Sequence, residues 1–105
     1  MGETVFRVRT HPGDGVMTVA LSGELDLAGV AELQQAIEQA RALGDRLVVD
    51  LTDLEFIDSS GLRVLVALHN AAETQGFDYS ILPGPPVVQR AFVLCGLDRT
   101  LRFVA

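Results

Sequence analysis

Asp58-Ser59-Ser60-Gly61 is the one stretch whose residue types and spacing point to chemistry. Two hydroxyls and a glycine lie between a short apolar strand, Arg46 to Leu51, and a helix-like run, Leu62 to Thr74. The first N–H groups of a helix lack intrahelical partners, and the helix dipole adds partial positive charge there. A phosphate is tolerated at such a place. Ser60 is therefore a candidate phospho-acceptor, with Ser59 the second choice. The plain structural alternative is a serine N-cap followed by a glycine for a tight turn.

Other chemistries find less support. A hydrolytic serine needs a base within hydrogen-bond reach. His11 falls in the first turn, and His69 lies some 13 Å down the helix from Ser60 at ~1.5 Å per residue. No Gly-x-Ser-x-Gly elbow is present. One cysteine and two separated histidines give no zinc set, and Asp53, Glu55 and Asp58 lack EF-hand spacing. The chain has no lysine, hence no Walker lysine, and it has no Gly-x-Gly-x-x-Gly. No catalytic residue, metal or cofactor is assigned.

The 105 residues suit one domain, 1–105. At this size roughly 65% of the unfolded surface can be buried, enough for one core without staples. The formal charge is −6, from 14 acidic and 8 basic residues, all arginine. That balance argues against a nucleic-acid binder, which needs a basic footprint, and fits a partner with a basic surface. A lone Cys95 forms no intrachain disulfide, which suggests a reducing compartment. No signal core or ~20-residue apolar run occurs, so no membrane association is expected. Together these point to the cytoplasm.

The elements that must position the loop follow from periodicity. Thr4 to Thr10 reads as a strand with Phe6 and Val8 inward and Arg7 and Arg9 outward. Pro12-Gly13-Asp14-Gly15 is a turn, and Val16 to Ser22 is the return strand of a hairpin. Gly23-Glu24-Leu25-Asp26 breaks the pattern. Leu27 to Leu43 is a helix, with Val30, Leu33, Ile37, Ala40 and Leu43 on its inner stripe. Asp26 caps it or, near the strand ends that also carry Asp58, shapes the surface around Ser60; Gly44 ends it.

Arg46 to Leu51 is the kind of strand buried on both faces. Asp53 to Ile57 leads into the serine loop. The second helix turns Leu62, Leu65, Val66 and Leu68 inward and stops at Gly76. Phe77 to Leu82 is a strand, and Pro83 to Pro86 opens a third helix. Val88, Ala91, Phe92 and Cys95 mark its buried side, with Cys95 a small core residue and Gly96 at C′. Thr100 to Val104 is a last short strand. The order ββαβαβαβ predicts an α/β domain with a mixed five-stranded sheet and helices mainly on one face.

These residues resemble the STAS domain proteins, in particular the bacterial anti-sigma factor antagonists. The marks are Ser22-Gly23-Glu24-Leu25-Asp26, Val49-Asp50-Leu51, Phe56-Ile57-Asp58-Ser59-Ser60-Gly61-Leu62, and Val88 through Phe92 to Gly96-Leu97. The resemblance covers nearly all of the chain. It implies a STAS-like domain with four helices on a largely parallel sheet, of which the fourth is either missing or outside these 105 residues. It implies a regulatory rather than enzymatic role. The unphosphorylated antagonist would bind an anti-sigma factor that is also a serine kinase, freeing a sigma factor. Phosphorylation at the position matching Ser60 would release it, and a serine phosphatase would reset the cycle. The partner-facing surface so implied takes in Asp26, Asp58, Ser59, Ser60, Gly61, Arg63 and Val64. Within the same family, a STAS subunit of a larger assembly, such as a lipid-transport complex or a stress-signalling scaffold, is the alternative.

Overall fold

Alternation of Met17, Val19 and Leu21 with Thr18, Ala20 and Ser22 gives the second strand one fully buried side and one half-buried side. That alternation sets the architecture of the computed structural model, which describes residues 5–104. The elements are β1 (Arg7–Gly13), β2 (Val16–Leu25), a 3₁₀ turn (Leu27–Gly29), α1 (Val30–Leu43), β3 (Arg46–Ile57), α2 (Ser59–Gln75), β4 (Asp78–Leu82) and α3 (Pro86–Leu94). The sheet order is β1-β2-β3-β4, with β1 antiparallel to β2 and the other pairs parallel. Leu33, Leu65, Val88 and Phe92 from the three helices join Val19, Val49 and Ile81 in a single core cluster. The helices thus share one face of the sheet, as expected from the crossovers.

The other face stays open. Val48 and Asp50 are half-buried, so β3 is not covered on both sides as its apolar run predicts. Among the described residues no helix crosses that face, and the parallel-sheet rule of two covered faces does not hold for them.

The hairpin turn is tighter than the four-residue signal suggests. Gly13 pairs with Val16, leaving Asp14 and Gly15 as a two-residue turn with φ of 45° and 80°. Positive φ at both centres is the type I′ requirement, which Asp-Gly meets. Pro12 therefore lies within β1, where an edge strand tolerates it. Thr4, the first residue of the expected strand, lies outside the described residues.

Two strands run further than their patterns indicate. β2 continues through Gly23-Glu24 to Leu25, and β3 continues through Asp53 to Ile57. Register shifts at Ala20/Ser22 and Gly23/Glu24 each place an extra residue on β3. These bulges put Thr52 and Asp53 side by side in solvent and break the alternation by which a strand is recognised. The Asp50 carboxylate accepts from the Thr52 N–H at 2.9 Å and its hydroxyl at 2.8 Å, holding the first irregularity.

The expected fifth strand is not one. Phe103 makes a single parallel bridge to Ile81, so the sheet has four strands. The Thr100 and Leu101 N–H groups both donate to the Leu97 carbonyl and are spent in a local turn. The segment is anchored instead by Phe103 packed edge-on against Phe92, ring centres 5.0 Å apart.

Cys95 is exposed rather than in the core. α3 ends at Leu94, and Gly96 takes φ of 72° in a Schellman closure. The Leu97 N–H reaches the Phe92 carbonyl at 2.9 Å, and the Gly96 N–H reaches Val93 at 3.0 Å. Leu97, not Cys95, folds back against the core. Leu43, placed on the inner stripe of the first helix, is also exposed, because it is the last helical residue.

Candidate functional site

The prolonged arms of β2 and β3 build the site. Leu25 and Ile57 pair across them and are both buried, so Asp26 and Asp58 follow on neighbouring strand ends. The Asp58 N–H donates to the Leu25 carbonyl at 3.1 Å, which locks the two ends together. Each chain then turns into a helix capped by its own aspartate. Asp26 Oδ1 accepts from the Ala28 N–H at 3.0 Å. Asp58 Oδ1 accepts from Ser60 N–H at 2.9 Å and Gly61 N–H at 3.2 Å.

The cap of α2 is thus Asp58, not a serine. Ser59 and Ser60 are its first two helical residues. Ser59 is exposed and Ser60 half-buried, and neither hydroxyl hydrogen-bonds to another described residue. Gly61 has a packing reason. A Cβ there would lie 2.8 Å from both Ile57 Cγ1 and Leu25 Cδ2, so its absence lets α2 start directly on the strand ends.

Ser60 opens onto a depression of about 240 Å³ between the helices, lined also by Leu27, Val30, Gln34, Arg63 and Val64. The expected surface is therefore largely brought together: Asp26, Asp58, Ser59, Ser60, Gly61 and Arg63 gather at one end of the domain. Val64 is placed differently. At 6% exposure it belongs to the core and offers the depression little surface of its own. Helical geometry carries it inward next to Leu65, because the wide α1–α2 seam covers both.

Two residues not anticipated from the sequence stand at this end. Leu27 is 73% exposed and Phe56 is 45% exposed. Leu27 continues the i, i+3 spacing of the α1 stripe backwards, but the first turn is 3₁₀ and leaves it outside. Phe56 faces out because it pairs with the exposed Glu24 on the open side of the sheet. An apolar residue directly after a capping aspartate was the available signal for Leu27.

His11 lies on β1 and is exposed. His69 Nδ1 is hydrogen-bonded to the Tyr79 hydroxyl at 2.7 Å, further along α2. Neither histidine meets Ser60. Asp53, Glu55 and Asp58 do not converge, and no group of three or more metal-capable side chains occurs among the described residues. No helix among them is long and apolar enough to cross a membrane.

Comparison with known proteins fits this geometry. The family model described as "Mlab, STAS domain" matches residues 8–104, across the whole site. The chain belongs to the STAS domain family. It is 34% identical over 90 residues to the anti-sigma-F factor antagonist RsfB of Mycobacterium tuberculosis, covering 85% of this chain and 73% of that one. It is 32% identical over 89 residues to the anti-sigma F factor antagonist of Paenibacillus polymyxa, covering 83% and 76%. The crystal structure of an anti-sigma factor antagonist from Mycobacterium paratuberculosis superposes with a TM-score of 0.84 at 30% identity. That match covers 94% of this STAS domain and 85% of the other chain.

Proposed function

We infer that this STAS domain is an anti-sigma factor antagonist that docks its anti-sigma factor through the surface around the start of α2. The observation that carries the reading is the Ser60 hydroxyl: accessible, unpaired and set between Leu27 and Arg63 in a chain whose relatives hold that role. The anti-sigma factor doubles as a serine kinase, Ser60 is the acceptor with Ser59 the second choice, and a serine phosphatase reverses the modification. The setting is the cytoplasm, and the role is binding without catalysis.

The switch follows from charge. A phosphate adds about −1.5 to −2 charges. The N–H groups of Ser60 and Gly61 are already committed to the Asp58 carboxylate, so the helix start has little left to offer a second anion. The dianion remains at the surface, beside Asp58 and Asp26. In a docked interface it adds bulk, repulsion and an unpaired charge. A few kcal/mol there is roughly 10²–10³-fold in affinity, since each ~1.4 kcal/mol is tenfold.

Titration of the anti-sigma factor with unmodified and phosphorylated protein tests this directly. Ser60→Ala should bind and resist labelling, and Ser60→Asp should bind poorly. Normal labelling of Ser60→Ala by the kinase would show that the acceptor lies elsewhere.

The "Mlab, STAS domain" description of the family model favours a second reading, a STAS subunit of a larger assembly with an idle serine. In that case phosphomimetic substitution leaves assembly unchanged, and no kinase of the anti-sigma type accompanies the protein.

A further inference from the structure

β1 is an outer strand of the sheet, and among the described residues no strand pairs with its outer side, which is a template. On the other outer strand, β4, Ile81 already donates its N–H to the Arg102 carbonyl and accepts from the Val104 N–H. In β1 the pairing is fixed by the two-residue turn. Gly13 and Val16 form the closing hydrogen-bonded pair, so His11, Arg9 and Arg7 also direct their backbone groups to β2. Val8 and Thr10 therefore turn N–H and C=O outward, and Pro12 turns only a carbonyl outward.

The side chains beside that edge are basic. Arg7, Arg9 and His11 pair with Ser22, Ala20 and Thr18, and so share the open face of the sheet. β1 has no carboxylate between Arg7 and Gly13, in a chain of formal charge −6. The ion pairs among the described residues are Arg46–Asp78 and Arg102–Glu73, which leaves Arg7 and Arg9 unneutralised. Arg9 and His11 border a depression of about 330 Å³ with Ser22 and Asp53, and Asp53 makes no ion pair with either.

A second copy of this chain does not fit the edge. Antiparallel β1–β1 pairing centred on Val8 or Arg9 would set arginine against arginine, centred on Thr10 it would set Arg9 against His11, and no register supplies a carboxylate to either arginine. We propose that the outer edge of β1 takes an extended acidic segment of another protein, added as a strand with carboxylates at alternate positions opposite Arg7 and Arg9. Outward backbone groups of Val8 and Thr10 supply the hydrogen bonds, and the arginines supply the selection. The edge shares no lining residue with the Ser60 depression and does not depend on the antagonist reading.

The probe is a blocked peptide of about eight residues alternating glutamate and threonine, added to isotope-labelled full-length protein. Amide exchange at Val8 and Thr10 should slow on the order of tenfold or more, because strand addition protects these two N–H groups. The same peptide with alternate backbone nitrogens methylated keeps its charge and should protect neither. A lysine–threonine peptide should not bind. The Arg7→Glu/Arg9→Glu protein should lose the protection, while Ser60→Asp should keep it. Should the double variant not fold, the methylated peptide on the unaltered protein decides. Absence of protection at saturating acidic peptide, or equal protection by the methylated or lysine probe, overturns the proposal. The arginines and Pro12 would then be guards that keep the edge unpaired.

Discussion

Replacing Asp58 separates its two duties, holding the start of α2 and setting the charge beside Ser60. Its carboxylate accepts two N–H groups at 2.9 and 3.2 Å. Asp58→Ala leaves both without an acceptor at the head of a 17-residue helix that carries Leu62, Leu65 and Leu68 into the core. Loss of an N-cap aspartate costs about 1–2 kcal/mol. For a domain of this size that lowers the melting temperature by roughly 5–12 °C. Asp58→Asn keeps an acceptor and removes only the charge, so its cost is confined to the helix-dipole contribution of about 0.3–1 kcal/mol. The same pair reports on the phosphate. Unit charges about 5 Å apart interact by roughly 0.8 kcal/mol in water and about 3 kcal/mol at an effective dielectric of 20. Phosphorylation at Ser60 should therefore destabilise the unaltered protein more than the Asp58→Asn protein. Urea unfolding of the unaltered, Asp58→Ala and Asp58→Asn proteins, and of the phosphorylated unaltered and Asp58→Asn forms, with equal slopes, measures both effects. The reasoning fails if Asp58→Ala unfolds at the unaltered midpoint, or if Asn and Ala are equally damaging.

Gly61→Ala should destabilise by about 1–3 kcal/mol despite the better helix former, since its Cβ would press on Leu25 and Ile57 at 2.8 Å; a urea midpoint checks it. Leu27→Ser should leave the melting temperature nearly unchanged, because the side chain is already in solvent, yet weaken anti-sigma factor binding about tenfold in titration calorimetry. Two groups that hydrogen-bond to Arg102, Glu73 and Tyr79, set opposite pH limits. The hydrogen bond from Arg102, then its charge, holds Glu73 below its usual range, so this contribution is present above the unfolded carboxyl range. It fades as pH falls through the lower folded value. Burial raises the Tyr79 phenol above 10, so its contribution holds below pH 10 and is lost as pH rises through the folded value. Tyr79→Phe should remove the alkaline loss and Glu73→Gln the acidic one, as read from denaturant midpoints across pH.

Much of the fold is local and therefore legible. Asp26 was available as a capping residue because an aspartate before a helical period can accept the first free N–H groups. At the second helix Ser59 and Ser60 are equally good caps by type and hid the role of Asp58. Asp14-Gly15 and Gly96 marked their turns through backbone conformation alone. The extra length of β2 and β3 was not legible. Thr52-Asp53 reads as the end of a strand, and only its neighbour β2 supplies the hydrogen bonds that continue it. Cys95 misled for a related reason, since Leu97 reaches back over Phe92 and takes the core position that helical spacing assigns to the cysteine.

From the order of residues alone came three helices packed on a mixed sheet and a serine at a helix start, because periodicity and caps act within a few positions. Tertiary pairing decided the rest: that Leu25 and Ile57 bring Asp26 beside Asp58, that Leu27 and Phe56 stay in water, and that Phe103 bridges rather than forms a strand. Those outcomes depend on register between distant segments, and one added residue on β3 redirects every side chain that follows it.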